Sequence, residues 1–549
     1  MDVAPLTSVA KKQALARKRK TPVKTTCRWV TRKVKVDGRV RRRKVKVCTP
    51  VKAIRPTAKV TPKPSGTTPA PAVRPAPAPI GQVAPPAPVT APVAPPPPVD
   101  TPVPVLTQPP SAADIRRLLW RAGFGPAPAQ VAKLQGKSHE AAVLTLTRPQ
   151  GAAALVGPEP RDERGRALAP ADAWGHDHLS WLDRMIRSDQ PLVERMALIW
   201  HDWFATSNDG VGSQQLMLDQ VQLFREKGLG SFDELFTAVT RDPAMLLWLN
   251  GSGSTKWNPN ENYAREMMEL FSLGADRGAY SETDVRELAR ALTGFRSDWS
   301  SELGSHNFRY DASRHDTASK TVFGQSGAFD WTDAVRLCVT HPLHASFFCT
   351  KLWGSFVPTA PDAATLAALQ GVYVSSGRQI RPVVEAILQH PAFYDGPQMV
   401  IPPVVHHASL LRSVGRGIDT TNWAWLSSYT GQRLFYPPNV SGWNDTRWLD
   451  TSTIRGRWLT ASYTLQKMAV APWATPGYDP LEDAATAVTR ALAALGNPTL
   501  SPGTMQVISD FAATSVSSTA ASWNRGPYRA MRQNALRMLI ATAPDAQVS

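Results

Sequence analysis

The stretch NPNENYAREMMELFSLG, Asn258 to Gly274, decides how the chain is built. Asn258 suits an N-cap, Pro259 the first helical position, and Glu261, three residues past the cap, completes a capping box. Gly274 suits the C′ position, where a left-handed residue ends a helix. At about 100° per residue, Tyr263, Ala264, Met267, Met268, Leu270 and Phe271 gather on one side of the wheel. Asn262, Arg265, Glu266 and Glu269 gather on the other. The spacing therefore predicts an amphipathic helix, with Arg265 facing Glu269 and Asn262 facing Glu266 one turn apart.

The same punctuation recurs along the chain. Ser111 and Asp114 form a capping box before SAADIRRLLWRAGFG, Asp242-Pro243 opens DPAMLLWL, Ser281 and Asp284 open SETDVRELARALTGF, and Pro361-Asp362 precedes AATLAALQGVYV. Strand-like alternation is sparse after residue 110, apart from a short ribbon near HNFRYD and KTVFG. The fold class expected is mainly α: a multi-helix body with long irregular loops over residues 111–549.

What precedes the body differs in composition. Residues 1–65 hold 21 Lys/Arg against Asp2 and Asp37, a net charge of +19, while the rest of the 549-residue chain sums to −1. The basicity belongs to the tail. Within it, CRWVTRKVKVDGRVRRRKVKVC centres on Asp37-Gly38, a strong hairpin signal because a type I′ turn needs positive φ twice. If Val36 faces Arg39, alternate rungs place Cys27 opposite Cys48 at a non-hydrogen-bonded pair, about 4.5 Å between Cα atoms, within disulfide range. The chain thus divides into a basic N-terminus (1–20), a cationic β-hairpin closed by a Cys27–Cys48 disulfide (21–50), a linker (51–110) and the helical body. The plain alternative is two unpaired cysteines in a basic tail. The linker carries 20 prolines in 60 residues, which favours extended polyproline II rising about 3.1 Å per residue and acting as a semi-rigid spacer.

Several segments together resemble one family. LLWRAGFGPAPAQV, LIWHDWFATS, RDPAML, NPNENYAREMMELFSLG, YSETDVRELARALTGF, RHDTASKTVFGQSG, HPLHASFFCTKLW and PPNVSGWNDTRWLDTST look like the bacterial domain of unknown function 1800 (DUF1800), in its order and over roughly 111–549. The resemblance implies an exported bacterial protein, often encoded beside a sulfatase-like companion protein. The family segment usually reads Trp-His-x-His-Phe. Here Trp203 stands where the second histidine would be, which argues against a metal at His201.

Candidate chemistry centres on a few residues. Glu266 and Glu269, three apart on one helical face, have the spacing of helical acid/base pairs or carboxylate metal sites, so a divalent metal is the cofactor class they would suit. His201 sits beside an apolar helical stripe and gains meaning only if a carboxylate meets it. His315, Asp316 and Lys320 crowd one irregular segment, where function tends to reside. Asn262, Arg265, Lys320, Asn439 and Trp443 are the candidate substrate-binding residues, the last two in a loop whose aromatics would suit sugar or peptide. Each has a plainer reading: a solvated helix face, a hydrogen-bonded boundary histidine, a capped turn, a core plug. Cys338 and Cys349 flank a helix junction and could pair. Phosphate-binding Gly loops, His-Glu-x-x-His, Gly-x-Ser-x-Gly and Cys-x-x-Cys are absent.

Three functional classes follow. The first is an extracellular or envelope-associated hydrolase of polymers, using Glu266, Glu269, His201, His315 and Asp316. The second is a non-enzymatic envelope binding or scaffolding protein. The third is a cytoplasmic nucleic-acid binder. In each, residues 1–65 would hold an anionic polymer such as cell wall, acidic lipid or nucleic acid. No apolar run reaches the ~20 residues of a transmembrane helix, and no recognisable signal peptide is present.

Overall fold

A computed structural model describes residues 102–127, 130–466, 482–518 and 526–549 of the chain, and the backbone of 25–36 and 39–50. The chain divides into two compact units, residues 1–89 and 90–549. In the first, Thr25–Val36 pairs antiparallel with Arg39–Pro50, in a register that sets Val36 opposite Arg39 and Cys27 opposite Cys48. The Cys27–Cys48 disulfide, the Asp37-Gly38 turn, the basic segment 1–20 and the spacer from 51 to 101 lie outside the described residues.

The second unit is mainly helical. Its caps are the ones the sequence spells out. Reciprocal capping boxes form at Ser111/Asp114 and Ser281/Asp284, and Asp242 and Asp362 each accept a backbone N–H at their helix starts. Each such cap typically contributes ~1 kcal/mol. The body begins before Ser111: Val103 and Leu106 pack on its core, and His139 Nδ1 lies 2.6 Å from Gln108 O. The end of the Pro-rich stretch carries enough aliphatic surface to be buried.

Two short ribbons interrupt the helices. Phe295–Ser300 pairs with Gly304–Tyr310, and Lys320–Val322 with Gln325–Gly327. HNFRYD therefore pairs with the strand preceding it rather than with KTVFG.

At the centre lies the helix Pro191–Trp203, which supplies Trp200, Trp203 and, at its cap, Phe204. Phe204 stacks on Phe224, Phe232 and Phe236 and meets Phe271 edge-on at 5.2 Å. Each of these rings is buried, and burial of one such side chain contributes about 1.5–3 kcal/mol. Trp200 Nε1 donates to Gly228 O at 2.8 Å, and a Cβ on Gly228 would lie 2.7 Å from the Trp200 ring. Cys338 and Cys349 are free thiols, both buried in this core. A smaller cluster around Ala487, Ile508, Leu536 and Ile540 holds the last helices together. Among the described residues, no helix is long and apolar enough to cross a membrane.

Candidate functional site

The stretch Asn258–Gly274 departs from a simple α-helix at both ends. Asn258 is caught in a turn with Thr255, so the helix starts at Glu261 and its N-cap is Asn260, whose side chain accepts from Asn262 N at 2.9 Å. The α-helix runs only over Glu261–Glu266, and Met267–Ser272 continues as a π-helix. Single π turns are frequent at functional sites, because they free carbonyls and redirect side chains.

Here the carbonyls at the end of the helix are met by side chains, three from distant motifs and one, Arg277, from the turn that follows. Leu270 O accepts from Lys351 Nζ at 2.8 Å, Phe271 O from Trp203 Nε1 at 3.1 Å, Ser272 O from His344 Nδ1 at 2.9 Å, and Leu273 O from Arg277 at 2.9 Å. Burial draws His344 down to about 4, so it is neutral; with Nδ1 donating, its Nε2 accepts from Tyr373 Oη at 2.9 Å. Trp203 is thus an indole donor to the π-helix, a task an imidazole of shorter reach would perform differently. WHDWF, HPLHASFFCTKLW and NPNENYAREMMELFSLG converge on one junction.

The sequence candidates fall in three places. Arg265 forms a two-pronged pair with Glu282, 2.7 Å for each bond, and not the expected pair with Glu269. Glu269 instead accepts from Tyr280 Oη at 3.3 Å, and Asn262 is exposed. Glu266 is half-buried; burial and then the neighbouring Glu269 push its carboxyl upward. The two carboxylates feel each other's charge, and no hydrogen bond joins either to His201 or His315.

The second place is the loop at 314–324. Asp316 pairs with Arg290 at 2.7 Å, which holds its carboxyl below the ordinary range. His315 is buried with Nδ1 3.0 Å from Thr293 O, and Lys320 is buried with Nζ donating to Asp316 O and to Ala318 O. Phe323 N donates to Asp284 Oδ1 at 2.7 Å. Asp316, Thr321 N and Phe323 N fasten this loop to the helix Glu282–Ala291, through Arg290, Glu287 and Asp284, while Lys320 bonds carbonyls within the loop itself.

The third place is the neighbourhood of His201 and Trp443. His201 is fully buried, boxed by Trp181, Phe435 and Trp443, and its Nε2 accepts from Phe435 N at 3.2 Å. Burial draws it to about 3, so it stays neutral and orients the loop rather than exchanging protons. Asn439 is exposed and caps its own turn, accepting from Ser441 N at 2.8 Å.

Beside His201 lies the residue that sequence reasoning passed over, Asp202. Its Oδ1 accepts from Trp443 N at 2.8 Å, which leaves the other carboxylate oxygen for the cavity that Asp202 lines. Gly442 makes this approach feasible: its φ is +86°, and a Cβ there would stand 2.1 Å from Asp202 Oδ1. The cavity, about 250 Å³, is walled by Arg195, Asp202, Lys351, Gln432, Trp443 and Trp448, with exposed Asp445 also on its lining. Burial raises the Asp202 carboxyl to about 6 and lowers the Lys351 ammonium to about 8. Lys351 Nζ also sits 4.4 Å from the Trp203 ring centre. Trp448 Nε1 is buried without a hydrogen-bond partner. The available signal was a charged residue, Asp202, inside the otherwise aromatic WHDWF.

Among the described residues, no three His, Cys, Asp or Glu side chains gather as a metal-binding group. A helical body whose motifs converge on a π-helix, beside a cavity lined by Asp202 and Lys351, defines an α-helical protein with a polar cavity at that junction. The chain belongs to the family described as "Protein of unknown function (DUF1800)", whose family model matches residues 117–548. No curated protein and no solved structure matches it.

Proposed function

We propose that the body is a hydrolase of ester or amide bonds in envelope or extracellular polymers, with its chemistry in the Asp202 cavity. The observation that carries this reading is the half-buried Asp202, with one oxygen fixed by Trp443 N and one turned to a cavity shared with Lys351. Near pH 7 a carboxyl at about 6 is mostly ionised and an ammonium at about 8 mostly protonated. Asp202 is then a general base for water, and the Lys351 ammonium would stabilise the oxyanion formed at the acyl carbon. The water proton passes to Asp202 and then to the leaving oxygen or nitrogen as the acyl bond breaks. Trp443 and Trp448 supply flat apolar walls for a polymer unit.

The basic residues 1–65 support an envelope or extracellular location, holding the body to anionic polymer through a salt-sensitive contact. The competing reading, a non-enzymatic binding protein, draws on the exposed Trp174–Trp425 pair, 4.6 Å between ring centres. The test incubates the purified chain with peptidoglycan, teichoic acid and acylated polysaccharide fractions and measures released carboxyl and amino groups. Release that falls ~10²–10⁴-fold in Asp202→Asn supports the hydrolase. Equal release in both proteins sinks it, and retention of a fraction without release favours binding.

A further inference from the structure

A cavity of about 540 Å³, larger than that beside Asp202, opens between the helices His139–Thr147, His176–Arg187 and Pro403–Ser413. Small-molecule sites span ~300–1,000 Å³. Its floor is aliphatic, formed by the buried Leu134, Leu146, Ile186 and Leu411. Val156 stands exposed on the rim, in a strap held by its own N–H donating to Arg187 O at 2.8 Å and by Ala154 N donating to Asp189 Oδ1 at 2.8 Å. Among the described residues no aromatic ring lines this cavity, whereas Trp443 and Trp448 line the one beside Asp202.

The charged groups on the wall are mostly basic, and their partners differ. Arg187 pairs with Asp183 at 3.1 Å and Arg416 with Asp419 at 2.9 Å. Arg412 has no acidic partner among the described residues. Its Nη1 donates to Met185 O at 3.2 Å and to Ile186 O at 2.9 Å, at the carbonyl end of the helix His176–Arg187. Its Nε is closed off, while Nη2 is open to water and makes no hydrogen bond among the described residues. Burial lowers this guanidinium to about 10, so it stays charged near neutral pH. A helix end carries only about half a negative charge, so this partly buried cation is left under-compensated until an anion reaches it. Lys133, exposed at the rim, adds positive charge.

We propose that this cavity binds a medium-chain fatty carboxylate, its acyl chain along the Leu134, Leu146, Ile186 and Leu411 floor and its carboxylate on Arg412 Nη2. The aliphatic floor suits a flexible chain, where a sugar or aromatic ring would call for flat aromatic walls. The under-compensated guanidinium suits an anionic head, to which it can give a charge-assisted hydrogen bond. Binding here needs nothing of Asp202, which lines the other cavity.

The test titrates the full chain with decanoate, hexanoate and decanol by calorimetry. Decanoate should bind with a Kd below about 1 mM. Hexanoate, which covers less of the floor, should bind at least about tenfold more weakly, and so should decanol, which lacks the charge. Arg412→Gln should bring decanoate to the level of decanol. Thr145→Trp, at the exposed rim, should block both ligands while leaving the floor intact, and it tests the cavity even if Arg412→Gln does not fold. The proposal is overturned if decanoate does not bind below about 1 mM, or if decanol binds as tightly. It is equally overturned if decanoate binding survives Thr145→Trp, which would place the ligand elsewhere, the basic tail included.

Discussion

Two regions of the body carry the same kinds of residue and differ in what those residues have left to do. The loop at 314–324 gathers His315, Asp316 and Lys320, and each is fully engaged: Asp316 by Arg290, Lys320 by two carbonyls, His315 by Thr293. The cavity beside the π-helix gathers Asp202, Lys351 and Arg195, and there the Asp202 carboxylate takes a single hydrogen bond, from Trp443 N to Oδ1. Composition pointed to the loop and passed over Asp202. What separates a candidate site from a fastening is whether its charged groups border a cavity or are spent on their neighbours, and both are set by packing.

Substitutions can break this contrast, the most severe being in the cavity. Asp202→Asn keeps the acceptor for Trp443 N but loses the base, so hydrolysis should drop ~10²–10⁴-fold with the fold intact by circular dichroism. Hydrolysis by the unaltered protein should follow a bell in pH with limbs near 6 and 8, set by Asp202 and Lys351. A rate that climbs steadily through pH 9 would remove Lys351 from the mechanism. Gly442→Ala should destabilise by about 3 kcal/mol in urea melts, since it adds both a strained φ and a clash with Asp202.

Stability should also respond to pH in a definite sense. The folded carboxyl of Asp202 lies at about 6, above its unfolded value, so the folded state holds the extra proton between roughly pH 4 and 6. Its contribution is greatest at low pH and falls by about 2 to 3 kcal/mol as pH rises through that window. In Asp202→Asn this slope should vanish. Asp316 has the opposite sign: its lowered carboxyl stabilises above the unfolded value and loses that contribution as pH falls. Asp316→Asn should therefore cost about 1 kcal/mol of stability near pH 7 and leave hydrolysis untouched. Smallest of all, Glu266→Gln should shift stability by less than about 0.5 kcal/mol, and toward greater stability, since burial and Glu269 both disfavour its charge. A large loss of activity in that variant would return the polar helix face to the centre of the function.

Much of the architecture was legible. The capping boxes at Ser111 and Ser281, the Asp242 and Asp362 caps, and the left-handed Gly274 at φ +89° all stand where the residue types put them. The family assignment rested on eight short motifs and holds over 117–548. The helix start slipped by two residues, because Thr255 took Asn258 into a turn and left Asn260 to cap. Arg265 chose Glu282, on the next helix, over Glu269 on its own, since a planar guanidinium gains two parallel bonds there. The π turn was invisible: it is stabilised by Lys351, Trp203 and His344, which no local pattern connects to it.

By itself, then, the sequence determined the mainly helical class, several of the helix caps, the separation of a basic tail from a neutral body, and the family. Those rest on interactions between residues three or four apart, or on composition. Only the tertiary structure decided which charged groups are unspent. The bond from Trp443 N to Asp202 spans 241 residues of chain, and that from Lys351 to Leu270 spans 81. A carboxyl is raised and an ammonium lowered by the surroundings that exclude water from them, and those surroundings exist only once distant segments have packed.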